Sequence, residues 1–266
     1  MPRNWIEFLR GAPSGGHGVQ IYRRESELAD SVASYLTAGF EAGDPALVVA
    51  STEHWTLFGD ALATRNCDVV ELQEHGLLTI ADADTTLAAF MLGGRPSPVR
   101  FEEVVGGLLD SISESYPGQR IRVFGEMVDL LCLRGEREAA LALEDLWNRL
   151  AQKRHFSLLC GYQLDVFDRA SQATTLPAVC RSHTHVQPAF DSTRLTVAVD
   201  RALGEILGHG EAGKVYLLVA EEARLERISV AQLALMWVSA NMPVTADRIL
   251  ASARAHYDRL APSPGV

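Results

Sequence analysis

Ala46–Ala50 reads ALVVA, five residues that are apolar at every position. A strand that shows one face to water alternates apolar and polar residues. An unbroken run between turn signals marks a strand buried on both faces, the situation of a parallel sheet covered by helices. The flanks agree. Before the run, Leu28, Val32, Tyr35, Leu36 and Phe40 recur at helical spacing, and EAGDP (Glu41–Pro45) stops that helix with glycine and proline. After it, Ser51 and Thr52 are suited to cap a helix carrying Trp55, Phe58 and Leu62.

The same alternation continues along the chain. Strands are expected at Val19–Tyr22, Val69–Leu72, Leu77–Ala81, Arg120–Phe124 and Phe156–Cys160. Helices are expected around Leu87–Met91, Phe101–Ile112 and Glu136–Gln152. Strands alternating with helices of this length predict a doubly wound, mainly parallel α/β sheet. Residues 1–16 read as a lead in which Trp5, Ile6, Phe8 and Leu9 line one face of a brief helix. The α/β domain is expected over 17–190. Residues 191–266 read as a helical region with a break at Met242–Pro243, and Val215–Arg224 is ambiguous between strand and helix.

Composition excludes some partners. The 266 residues carry 24 Lys/Arg against 34 Asp/Glu, a net charge of −10, which argues against nucleic acid or an anionic membrane as the main partner. The helical region holds eight Lys/Arg against nine Asp/Glu, so it lacks the footprint of a DNA-binding surface. Cys67, Cys132, Cys160 and Cys180 form no CxxC pair, the usage of a reducing cytoplasm. Neither a signal-peptide pattern nor a membrane-length apolar run is visible, so a cytoplasmic protein is expected.

Ligands of open α/β sheets sit beyond the carboxyl ends of the strands. Tyr22, Ser51, His54, Asp82, Glu126 and Tyr162 fall at such ends, and His17 stands just before the first strand. Together they form the candidate ligand-binding set. Glu126, after Gly125 in RIRVFGEMVDLL (Arg120–Leu131), is its centre; the competing reading is an acid that complements the dipole of the following helix. Ser51 and Asp82 compete as helix caps. Cys180, His183 and His185 in CRSHTH form a dense group of zinc-type ligands, with His17 or Glu126 as an outside fourth. GHGEAGK (Gly208–Lys214) imitates a P-loop, but Val215 stands where the magnesium-binding hydroxyl belongs and a helix, not a strand, precedes it. No residue pattern identifies a nucleophile or a general base, and no catalytic residue is assigned.

Several segments taken together resemble a known family: HGVQIY (His17–Tyr22), GFEAG (Gly39–Gly43) before ALVVAS, Asp82–Ala83, FGEMVDLL (Phe124–Leu131), LEDLWNRL (Leu143–Leu150) and LLCGY (Leu158–Tyr162). The set is similar to the MEDS domain, the methanogen/methylotroph DcmR sensory domain, over about residues 15–188. The resemblance implies a prokaryotic signalling module that detects small molecules, with hydrocarbon derivatives proposed, and a fold like the RecA/KaiC-type ATPase domain. That type carries a phosphate-binding loop after its first strand, where this chain has YRRES (Tyr22–Ser26) without glycine or lysine. The resulting expectation is a non-enzymatic sensor that binds a small molecule and signals through a partner protein in transcriptional or two-component control, with no cofactor. A homodimer is a further expectation for the last helices. The alternatives are a degenerate nucleotide-binding protein without turnover and a metal-dependent hydrolase using the Cys/His group.

Overall fold

The computed structural model describes residues 3–226 and 228–261. The chain divides into two compact units, Met1–Gln163 with Ser182–Gln187, and Leu164–Arg181 with Pro188–Val266.

The first unit begins with α1 (Arg3–Gly11), β1 (His17–Tyr22), α2 (Glu25–Ala42), β2 (Ala46–Ala50), α3 (Thr52–Ala63), α4 (Val69–Glu74) and β3 (Leu78–Asp82). Then come α5 (Ala83–Phe90), a two-residue hairpin of β4 (Met91–Leu92) and β5 (Arg95–Pro96), α6 (Pro98–Phe101), and α7 (Gly107–Ser115) entered through a π-helical turn. β6 (Ile121–Gly125), α8 (Met127–Leu133), α9 (Arg137–Ala151) and β7 (Phe156–Gln163) follow. After α10 (Leu176–Ser182) of the second unit, β8 (His185–Gln187) returns to the sheet.

Six strands form one sheet in the order β3-β2-β6-β7-β1-β8, every neighbour parallel. The α/β parallel architecture read from the sequence is therefore present. Opposed residues of a parallel pair share a face, so the register sorts the side chains. Leu159 of β7, Phe124 of β6, and Ala46, Val48 and Ala50 of β2 pack in one buried cluster with Trp5, Phe8, Leu28, Tyr35, Leu36 and Phe58 from α1, α2 and α3. On the other face stand His17, Leu158, Cys160, Tyr162 and Gly125. There Trp147 of α9 lies so close that a Cβ on Gly125 would meet it at 3.5 Å. Helices thus cover both faces.

The lead is part of this core. Trp5, Phe8 and Leu9 are buried, and Phe8 stacks on Tyr35 and His185. Ile6 is exposed, so the apolar stripe is narrower than its hydropathy suggests. α1 is also pinned by an arginine inside the sheet. Arg122 is 1% exposed; its guanidinium donates to the carbonyls of Leu9, Arg10 and Tyr35 at 2.8–2.9 Å and to Asp44 Oδ2 at 3.1 Å. A buried charge with this many partners is tolerable, whereas an unpartnered one is not.

Val69–Leu72, expected as a strand, is the start of α4. Asp68 explains the difference: its side chain accepts from the backbone N–H of Val70 and Glu71, an N-cap that turns a β-prone pair into a first helical turn.

The second unit contains a π-helical turn at Ser171–Thr175, α10, α11 (Ser192–Leu207), α12 (His209–Glu226), α13 (Val230–Asn241) and α14 (Pro243–Arg259). Leu195, Val199 and Leu203 of α11 and Ile249, Leu250 and Tyr257 of α14 are buried, and Phe167, Phe190 and Tyr257 meet edge to face or tilted. Val215–Glu222 is helical, and Gly208 stands between α11 and α12, so GHGEAGK follows a helix as its sequence context indicates. The helical break falls at Met242. Among the described residues, no helix is long and apolar enough to cross a membrane.

Candidate functional site at the strand ends

The sheet order creates one switch point. From β2 the chain moves outward to β3, while from β6 it moves the other way, to β7. Connections that diverge from adjacent parallel strands leave a crevice at their carboxyl ends. β2 ends at Ala50 and β6 at Gly125, so Ser51 and Glu126 are the first residues beyond it.

These two residues meet. The Ser51 backbone N–H donates to Glu126 Oε1 at 2.6 Å, and His54 Nδ1 lies 2.6 Å from Glu126 Oε2. Ser51 also caps α3, its Oγ accepting from the His54 N–H, which fixes the turn of helix carrying the imidazole. Glu126 itself makes no capping bond to α8; its carboxylate turns back across the crevice to the end of β2. Glu126 stands at the N-cap position of α8, while its carboxylate bonds Ser51 and His54.

A second carboxylate extends the network. Asp129, 3% exposed on the first turn of α8, accepts from Tyr22 Oη at 2.8 Å and from the Gln163 backbone N–H at 3.0 Å. Tyr22 and Gln163 end β1 and β7, so Asp129 ties two further strand ends to α8. The Tyr22 ring also lies edge-on to His54. Burial raises Asp129 to about 6, with Glu126 adding to the rise and the two hydrogen bonds opposing it. The hydrogen bond to Glu126 raises His54 against the opposing effect of its burial. Burial first, then Asp129, raises Tyr22, so its hydroxyl stays a donor. The network sets Glu126 beside the raised Asp129, His54 and Tyr22 at the end of a parallel sheet, and perturbed groups of this kind are associated with functional sites.

Three expected members lie elsewhere. Asp82 ends β3 and caps α5, accepting from the Thr85 N–H at 2.7 Å. His17 and Tyr162 both point to Glu144 of α9 on the other face of the sheet. Tyr162 Oη donates to Glu144 Oε1 at 2.7 Å, and His17 Nε2 is 3.4 Å from Glu144 Oε2. His183 Nε2 lies 3.5 Å from Glu144 Oε1, and Cys160 Sγ 3.3 Å from His17 Nε2. Of the CRSHTH group, only His183 belongs to this cluster. His185 is in β8, its Nδ1 at 2.9 Å from Thr184 Oγ1, and Cys180 is in α10. Asp129, Glu144 and Cys160 escaped the sequence reading of the site.

The model of the MEDS family, described as the methanogen/methylotroph, DcmR sensory domain, matches residues 16–184. The chain belongs to the MEDS family. The match runs from β1 past α10, so it takes in the whole strand-end network and the cluster around Glu144 of this MEDS protein. A sensory role follows at the level of the family. No curated protein and no solved structure matches the chain.

Proposed function

We propose that this MEDS protein is a non-enzymatic regulator whose strand-end network binds a small hydrocarbon derivative bearing a hydroxyl or amine. The observation that carries the reading is Glu126, which bridges the β2 and β6 ends at the switch point of the sheet. Glu126 and Asp129 supply acceptors, while Tyr22 and His54 supply donors, so a small polar headgroup finds both kinds of partner. A ligand that competes for Glu126 loosens the link between β2, α3 and α8, and a ligand shifts an equilibrium only by binding its states differently. We place output to a protein partner in residues 188–266, which lie beyond the family match. The switch-point topology is also what supports kinship with the RecA/KaiC type of fold, in a version whose Tyr22–Ser26 segment lacks the glycines and lysine of a phosphate-binding loop.

The test is a thermal-shift series with C1–C3 alcohols and amines on the full chain and on Glu126→Gln. The variant keeps the shape of the side chain and removes its charge. A concentration-dependent rise in Tm for the wild type, weakened at least tenfold in the variant, supports the reading. Equal responses in both proteins, or none in either, contradict it.

A further inference from the structure

We infer that His17, Glu144, Cys160 and His183 form a buried zinc site inside the first unit. The inference does not rest on the strand-end reading, because it concerns other residues on the other face of the sheet.

Four donors of different elements converge. His17 begins β1, Cys160 lies in β7, Glu144 projects from α9, and His183 precedes β8. Cys160 and Glu144 are fully buried, and His17 and His183 are 3% and 8% exposed. One donor atom from each lies within 4.8 Å of all the others. Tetrahedral zinc holds nitrogen, oxygen and sulfur at about 2.0–2.3 Å, which places neighbouring donors about 3.3–3.6 Å apart. The separations here are 3.3 Å for His17 Nε2–Cys160 Sγ and 3.4 Å for His17 Nε2–Glu144 Oε2, while His183 Nε2 stands 3.5 Å from the other carboxylate oxygen, Oε1. A hydrogen-bonded cluster without a metal would instead bring its nitrogen–oxygen pairs to about 2.7–3.2 Å.

The surrounding bonds set the donors for a cation. Asn148 Nδ2 donates to the Ser182 carbonyl at 3.1 Å, which fixes the orientation of its amide. Its Oδ1 therefore faces His17 Nδ1 at 2.9 Å and takes that proton, leaving the lone pair of Nε2 directed at Cys160 and Glu144. Glu144 Oε2 has no hydrogen-bond partner among the described residues although it is buried. Glu144 Oε2 and the Nε2 lone pair of His17 thus face one another, and a cation bound between them satisfies both. Tyr162 holds the other carboxylate oxygen at 2.7 Å, an outer contact typical of metal ligands.

Two neutral imidazoles, a thiolate and a carboxylate balance a divalent charge, and this mixed nitrogen, sulfur and oxygen set suits zinc. Binding transfers the thiol proton of Cys160 to solvent as the sulfur–metal bond forms. Four protein ligands in a buried position make a closed site, so its role is structural or regulatory. It fastens the segment that leads into β8 to the centre of the sheet.

The experiment uses the full chain, expressed without a histidine tag and purified without chelators. Metal is counted by plasma mass spectrometry and native mass spectrometry, and apo protein is titrated with zinc against a chromophoric chelator. The expected result is one zinc per chain, lost in Cys160→Ser and in Glu144→Gln but retained in Cys180→Ser and His185→Gln. Cobalt added to apo wild type reports independently of whether the variants fold: a thiolate charge-transfer band with intense tetrahedral d–d bands is expected. The proposal is overturned by failure of the apo wild type to take up zinc one to one, by a cobalt spectrum without the thiolate band, or by loss of metal in Cys180→Ser with retention in Cys160→Ser.

Discussion

Glu126 Oε2 and His54 Nδ1 stand 2.6 Å apart, and the imidazole is raised because that hydrogen bond favours its protonated form. A histidine whose folded value exceeds its unfolded one stabilises the fold fully below about pH 6.5. That contribution is lost as pH rises through the folded value. Glu126→Gln removes the charge, so His54 is expected to titrate closer to 6.5, followed through its Cε1 proton by NMR. An unchanged titration would show that the pair does not govern His54.

Asp129 has the same sign through a different cause. Its folded value near 6 lies above the roughly 3.9 of an unfolded aspartate, because burial disfavours the charged form. Between about pH 4 and 6 the folded state binds the extra proton, so stability falls as pH rises through this window. The size is on the order of 3 kcal/mol. Asp129→Asn is expected to flatten urea-derived stability over that window, and a slope identical to wild type would contradict the assignment.

Tyr22→Phe removes the donor to Asp129 Oδ2 and leaves a buried acceptor. The expected cost is about 1–3 kcal/mol by chemical denaturation, with Asp129 pushed further up. A neutral substitution with no shift in Asp129 would place the hydroxyl outside the network.

Arg122→Met tests how α1 is held. It deletes every guanidinium bond to Leu9, Arg10, Tyr35 and Asp44, leaving Asp44 buried beside one remaining arginine, Arg120. A loss of about 3–5 kcal/mol is expected, with amide exchange accelerated first in α1. Gly39→Ala is expected to act in the same direction, since its Cβ would stand 2.4 Å from Arg122 Cδ. Full stability in both variants would contradict this account of the anchor.

These contacts show where the sequence is legible. ALVVA is buried at every position, and its meaning follows from hydropathy alone. Glu126 and Ser51 were visible because strand ends and glycine breaks are local signals. Arg122 showed no sign of its role within the expected strand Arg120–Phe124, since its carbonyl partners lie 87 to 113 positions away in sequence. Glu144 was hidden within an apolar helix stripe, between Leu143 and Trp147, where only the company of Asn148 four residues on hints at a polar seam. Cys160 read as a small apolar residue in a strand, and only the register of β1 against β7 reveals its approach to His17. CRSHTH drew attention by density, yet residues adjacent in sequence diverge when a helix ends and a strand begins, so His183 alone joins the cluster.

The most direct test of the central claim is amide and histidine chemical-shift mapping on the full chain. It is run with whichever of the C1–C3 alcohols and amines raises Tm most. The account predicts saturable shifts concentrated at Tyr22, Ser51, His54, Glu126 and Asp129. Saturable shifts that leave these residues unmoved would contradict the strand-end site.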